Sequence, residues 1–246
     1  MKRNIMMGII AVFLAFPFNA RAEKLLFVAS EISPPMVWED ENRKVVGSDA
    51  EVIAEICKRL GFECAMDGLP LKRALQMIER GEILGIFTIF RDKDREKYIW
   101  FSEEPINMVK TMVIARKDSG FKISSLDDLK GKRIGVIDGH KYGPEFDNYQ
   151  GLKKDFCKEK EELHRMLDKG RVELILDSEA PFRFLTKKNG TADRFEMLFL
   201  IKENPVYIGF SKALGKKGEE LAKKFSDILK QLKADGTYEK ILSRYR

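Results

Sequence analysis

"FECAMDGLPLKRALQMIERGEILGIFTIF", residues 62–90, reads as strand, helix, strand. "FECAM" is an apolar strand, and "PLKRALQMIERG" has proline at its start and glycine at its end, as a helix does. "ILGIFTIF" is a second buried strand. Upstream, "KLLFVA" (24–29) is another strand. Ser48-Asp49-Ala50-Glu51 has the pattern of a capping box opening a helix, whose apolar residues Val52, Ile53, Ile56 and Leu60 recur at helical spacing until Gly61. Strands alternating with helices predict an α/β fold with a mainly parallel sheet.

The pattern restarts downstream. "MVKTMVIAR" (108–116), "RIGVID" (133–138), "VELILD" (172–177), "FEMLFLI" (195–201) and "PVYIGFS" (205–211) read as strands. Helices are predicted over 161–170 and 178–190, and two amphipathic helices, 216–234 and 238–245, close the chain. A capped helical turn is expected at "SSLDDLKGK" (124–132), and "GHKYGPEF" (139–146) reads as a loop entering a helix.

Between the strand ending at Phe90 and the apolar segment "YIWFS" stand seven charged residues, "RDKDREK" (91–97). The run is either a solvated turn or a turn from which one cation reaches back into a cleft to hold an anion.

The 246 residues suffice for one large domain or two smaller lobes. The first 22 have the form of a secretory signal: Lys2 and Arg3, an apolar stretch from Ile5 to Phe16, and Ala20-Arg21-Ala22 as cleavage site. That stretch is too short to span a bilayer, which takes roughly 20 residues. A soluble, exported product cleaved after Ala22 is expected, with periplasmic localisation. Loss of Lys2, Arg3 and Arg21 lowers the formal net charge from +6 to +3. No basic stripe with interleaved aromatics remains, which argues against nucleic-acid binding. Cys57 and Cys64 flank a predicted helix end and can bridge in an oxidising compartment or remain two buried thiols. Cys157 is left over, expected as a free thiol on a helix.

Catalytic and metal signatures are scarce. His140 and His164 lack partners at metal-ligand spacing, and His164, among charges on a helix, reads as a surface residue. There is no nucleophile elbow, P-loop or dinucleotide fingerprint, so no cofactor or metal is expected. Three places lie at the C-terminal ends of strands, where open α/β sheets bind ligands: Thr88 to Arg95, Gly139-His140 at an expected helix start, and Asp177-Ser178-Glu179.

Four segments in order carry a resemblance: "SPPMVWEDENRKVVGSDAEVIAEICKRLG", "ALQMIERGEI" with "DREKYIWFS", "SSLDDLKGKRIGVIDG" and "LKADGTYEKILSRY". Together they resemble the family 3 periplasmic solute-binding proteins, receptors of polar amino-acid ABC transporters. The resemblance implies a two-lobed periplasmic-binding-protein fold (type II) with two hinge strands. Lobe 1 would comprise 23–110 and 206–246, and lobe 2 would comprise 111–205. Cys57 and Cys64 match a bridge found in histidine-type members. The segment's arginine, here Arg95, would grip a ligand carboxylate, since a guanidinium can bind one bidentately.

The resemblance further points to Thr88, Phe90 and Trp38 on lobe 1 and to Gly139, His140, Tyr142 and Asp177 on lobe 2. The chain departs from the family pattern at several of these. Phe90 stands near a usual hydroxyl. Ser33 occupies the usual place of an aromatic, and Trp38 follows the prolines. His140 replaces a threonine. The position expected to hold an α-ammonium falls on Ser178, with Asp177 one before. The implied function is capture of a small carboxylate-bearing solute by a monomer that hands it to a membrane permease. The alternatives are a stand-alone sensor, or an exported cyclohexadienyl-dehydratase-like enzyme with Glu179 or Asp177 as acid.

Overall fold

A computed structural model describes residues 24–29, 33–140 and 142–245. The predicted signal segment lies outside these residues.

The strands are β1 (Lys24–Ala29), β2 (Trp38–Glu39), β3 (Val45–Val46), β4 (Glu63–Gly68), β5 (Gly85–Phe90), β6 (Ile99–Phe101), β7 (Asn107–Arg116), β8 (Arg133–Ile137), β9 (Lys153–Cys157), β10 (Leu174–Ser178) and β11 (Phe195–Ser211). The helices are α1 (Ser48–Leu60), α2 (Leu71–Glu79), α3 (Pro144–Asp147), α4 (Lys160–Asp168), α5 (Glu179–Lys188), α6 (Lys216–Ala234) and α7 (Thr237–Ser243). Nine strands form one sheet in the order β4-β1-β5-β11-β7-β10-β8-β9, with β6 also on β11, and β2 pairs with β3.

The sheet is parallel only toward its ends, in the pairs β1/β4, β1/β5, β8/β9 and β8/β10. Its middle is antiparallel, because β7 and β11 run as a ribbon from Asn107↔Val206 to Arg116↔Phe195. The sequence predicted two strands where β11 is one. The charges and Pro205 in "KENP" suggested a break, but β11 is paired with β7 alone there, and its ladder with β5 begins only at Val206. A proline without an N–H is tolerated where one edge is unpaired.

Four buried apolar clusters flank this ribbon, and among the described residues they form two separate groups. One group draws on residues 26–109 and 206–245, with Phe27, Phe210 and Phe225 stacked at centroid distances of 5.0–5.7 Å. The other draws on residues 112–201. Buried apolar area is the main stabilising term, so the molecule has two cores linked by β7 and β11.

Local chemistry departs from expectation at two points. The capping box does not form: α1 has Gly47 as N-cap, Ser48 bonds Asp49, and the Glu51 carboxylate turns to Arg244 and Tyr245. Gly47 is required, with φ +124° and a position where a Cβ would lie 2.4 Å from the Met36 carbonyl oxygen. Cys157 ends a strand that the sequence reading missed, β9, and is buried there rather than carried on a helix. At the end of α1, Gly61 is left-handed at φ 74° and turns the chain so that Cys57 and Cys64 are bonded, with Cα atoms 6.1 Å apart.

Candidate functional site

A cleft of about 420 Å³ lies where β5, β7, β8, β10 and β11 meet, within the range of small-molecule sites. Its apolar lining includes Met36, Val109, Leu176 and Val206, and its polar groups fall on two walls.

The first wall forms around the end of β5. The ladder with β11 shifts register between Tyr207 and Gly209, and Thr88 sits in that irregularity at φ +57°. Bulges of this kind re-aim side chains beside sites. The backbone of a β-branched residue is strained there, at a cost on the order of 1–3 kcal/mol. The Thr88 hydroxyl donates to Asp49 Oδ2 at 2.7 Å. Asp49 is fully buried and accepts further bonds from Asn107 Nδ2 at 2.8 Å and Ser48 Oγ at 3.2 Å. Burial pushes its carboxyl up to about 6, against the lowering effect of the bonds from Thr88, Asn107 and Ser48. With its hydrogen given to Asp49, Thr88 offers the cleft a lone pair, so it is not a carboxylate donor while that bond stands.

The seven-charge run is a solvated turn with one exception. Arg91 pairs with Glu96 and Lys97 with Asp94, all exposed or half-buried. Asp92 Oδ1 accepts from the backbone N–H of Asp94 and Arg95, which fixes the turn. Arg95 alone folds back: its side chain is 19% exposed, against 46% for Arg91 and 74% for Lys97. Its Nη1 donates to the Phe90 carbonyl at 2.7 Å and its Nε faces Asp92 at 3.1 Å. Among the described residues Nη2 has no partner, and Arg95 lines the cleft. The Phe90 side chain lines it too, 40% exposed.

The second wall comes from β8, β10, α4 and β11. Gly139 and His140 line the cleft, but no helix starts there. His140 N–H closes a turn onto Ile137, and α3 begins only at Pro144 and is four residues long. Among the described residues of this loop, none therefore forms the expected helix-terminus anion site. Tyr142 is buried, and its hydroxyl accepts from Ile137 N–H at 2.8 Å. Burial pushes that phenol up to about 12.

Asp177 is the last but one residue of β10, at 5% exposure. Its Oδ1 accepts from Ser178 N–H at 2.7 Å, and its Oδ2 lies 2.6 Å from His164 Nε2. His164 is thus a half-buried partner and not a fully exposed residue: its side chain is 17% exposed and its ring meets Phe182 edge-on at 4.8 Å. The signal for this was its place beside Leu163, on the face of α4 that enters the core. Lys160, Lys202, Asn204 and Thr111 also line the cleft, and the sequence reading named none of them.

Trp38 does not line the cleft. It packs on Phe184 of α5 at 5.4 Å and on Tyr245 at 6.0 Å. Glu179 also lies off the lining and pairs with Arg183. Among the described residues no cluster of three His, Cys, Asp or Glu is placed to hold a metal, and no helix is long and apolar enough to cross a membrane.

Residues 26–246 match the family model described as "Bacterial extracellular solute-binding proteins, family 3". The histidine-binding periplasmic protein of Escherichia coli K12 is 25% identical over 241 residues, covering 96% of this chain and 90% of that protein. The ABC transporter arginine-binding protein 1 of the same organism is 26% identical over 264 residues, covering 100% of this chain and 99% of that one. Among solved structures, the second substrate-binding domain of a putative amino acid ABC transporter from Streptococcus pneumoniae superposes with a TM-score of 0.74. It is 22% identical, with 90% of this chain and 99% of that one covered. The chain belongs to the bacterial extracellular solute-binding proteins of family 3.

Proposed function

We propose that this family 3 member captures a small carboxylate-bearing solute between two lobes and delivers it to the permease of an ABC transporter. The observation that carries this is Arg95. It is withdrawn from a run in which Arg91 pairs with Glu96 and Lys97 with Asp94 in solvent, is anchored by Phe90 and Asp92, and lines the cleft. A guanidinium so held is preorganised for a carboxylate. Lobe 1 is taken as 23–110 and 206–246 and lobe 2 as 111–205, so that Arg95, Thr88 and Phe90 face Gly139, His140, Tyr142 and Asp177 across the cleft. Trp38 acts at the rim. The protein works as a periplasmic monomer, after cleavage of its leader behind Ala22, and as a binder rather than a catalyst.

A ligand held by both lobes favours the closed form, because only that form makes both sets of contacts. A thermal-shift screen of amino acids, dicarboxylates and aromatic acids should give a carboxylate that raises the melting temperature. Small-angle scattering with that solute should give a smaller radius of gyration. A tight solute without a carboxylate, or turnover of prephenate, would overturn the proposal.

A further inference from the structure

Among the described residues, three cations line the cleft, Arg95, Lys160 and Lys202, against one carboxylate, Asp177. That carboxylate is already engaged on both oxygens, by Ser178 N–H and by His164. A ligand ammonium would have to compete with a histidine for it. The cations are divided: Arg95 is on the wall beside β5, while Lys160 opens α4 one turn before His164. Among the described residues the Lys160 side chain makes no ion pair or hydrogen bond.

Lys202 comes from β11, just past a register shift between Leu200 and Lys202. The shift resets the alternation of side chains: Leu200 is exposed, Ile201 packs on a buried cluster, and Lys202 lines the cleft. Its Nζ lies 3.3 Å from the Asn204 amide, whose oxygen, turned toward it, accepts a hydrogen bond. Burial pulls the Lys202 ammonium below its usual range, more than the attraction of Asp147 restores it. A desolvated cation gains most from an anion placed beside it. A basic amino-acid side chain would instead set like charges together.

We infer that Lys160 and Lys202 form a second anion subsite, so that the cleft takes a small solute with two carboxylates, one on Arg95 and the other on the lysine pair. The inference rests on the carboxylate capture proposed above and narrows its ligand class.

Calorimetry on the mature protein with matched pairs tests it: succinate against succinamate, glutarate against glutaramate, and L-glutamate against L-glutamine, with L-arginine and L-histidine alongside. In at least one pair the dicarboxylate should bind about 30-fold or more tightly, the loss expected when one partner of a buried charge pair is removed. Lys202→Gln should narrow that difference by a similar factor, and Lys160→Gln, at the first turn of α4, gives the same readout should Lys202→Gln fail to fold. Monoamides that bind as tightly as the diacids, or L-arginine that binds more tightly than either, would overturn the second subsite and leave carboxylate capture standing. Failure of every carboxylate, single or double, would overturn both.

Discussion

The two walls of the cleft are built in opposite ways. On the first wall each polar side chain is held by its own neighbourhood. Arg95 is anchored by Phe90 and Asp92, three to five residues away, and Thr88 sits in a bulge of the same strand. Only the Asp49 contact is long-range. On the second wall the groups converge from α4, β10 and β11, and the acid that faces the cleft is matched by a histidine thirteen residues before it. Under the proposed carboxylate capture, the first wall would act as a preset grip for one anion. The second has its negative charge internally satisfied, and what it presents beyond that is lysine.

The largest expected effect tests the first wall. Arg95→Ala should weaken binding of the captured carboxylate by about 2–5 kcal/mol, because the ligand anion loses its partner in a desolvated cleft. The circular dichroism spectrum should stay unchanged, since the residue lies outside the buried clusters of both cores. Calorimetry giving wild-type affinity would move the grip to the second wall.

Asp49 sharpens the contrast through pH. Its carboxyl is pushed up to about 6 from an ordinary value of 3.8, so between those values the folded state binds more protons than the unfolded one. The stabilisation this confers is fully present below 3.8 and is lost as the pH rises through about 6. Each unit of difference is worth about 1.4 kcal/mol. Asp49→Asn cannot titrate there. Wild type should therefore lose stability relative to Asp49→Asn as the pH rises from 4 to 7, by roughly 3 kcal/mol. Parallel urea-melt stabilities for the two proteins across that range would mean that Asp49 is not desolvated as its burial requires.

Trp38 packs on Phe184 and Tyr245, away from the cleft lining, and gives the smallest effect. An aromatic pair contributes about 0.5–1.5 kcal/mol beyond its area. Trp38→Ala should weaken binding about tenfold or less without changing which solute is preferred. A change in preference would place Trp38 against the ligand and not at the rim.

How much was legible follows the same division. Residues 62–90 gave strand, helix and strand because apolar periodicity and the Pro and Gly punctuation are local signals. The Cys57–Cys64 bond was open to the same reasoning, since Gly61 between them has to turn the chain. Arg95 was singled out in the sequence by its place in a family motif, and in the structure it folds back through the short-range bond to Phe90. His164 was misplaced because charged neighbours in sequence say nothing about which helix face enters the core. The antiparallel middle of the sheet was missed because strand pairing is decided between segments nearly ninety residues apart.

The sequence by itself determined what depends on contacts within a turn or two: the α/β alternation, the family motifs, and a helix end between Cys57 and Cys64 that allowed either a bridge or two buried thiols. Tertiary structure alone decided what depends on convergence. It joined two cores through the β7/β11 ribbon, buried Asp49 behind Thr88, matched Asp177 with His164, and turned Lys202 into the cleft through a bulge. Burial and electrostatic pairing act through space, and a carboxylate acquires its partner, and its proton affinity, only once distant segments have packed around it.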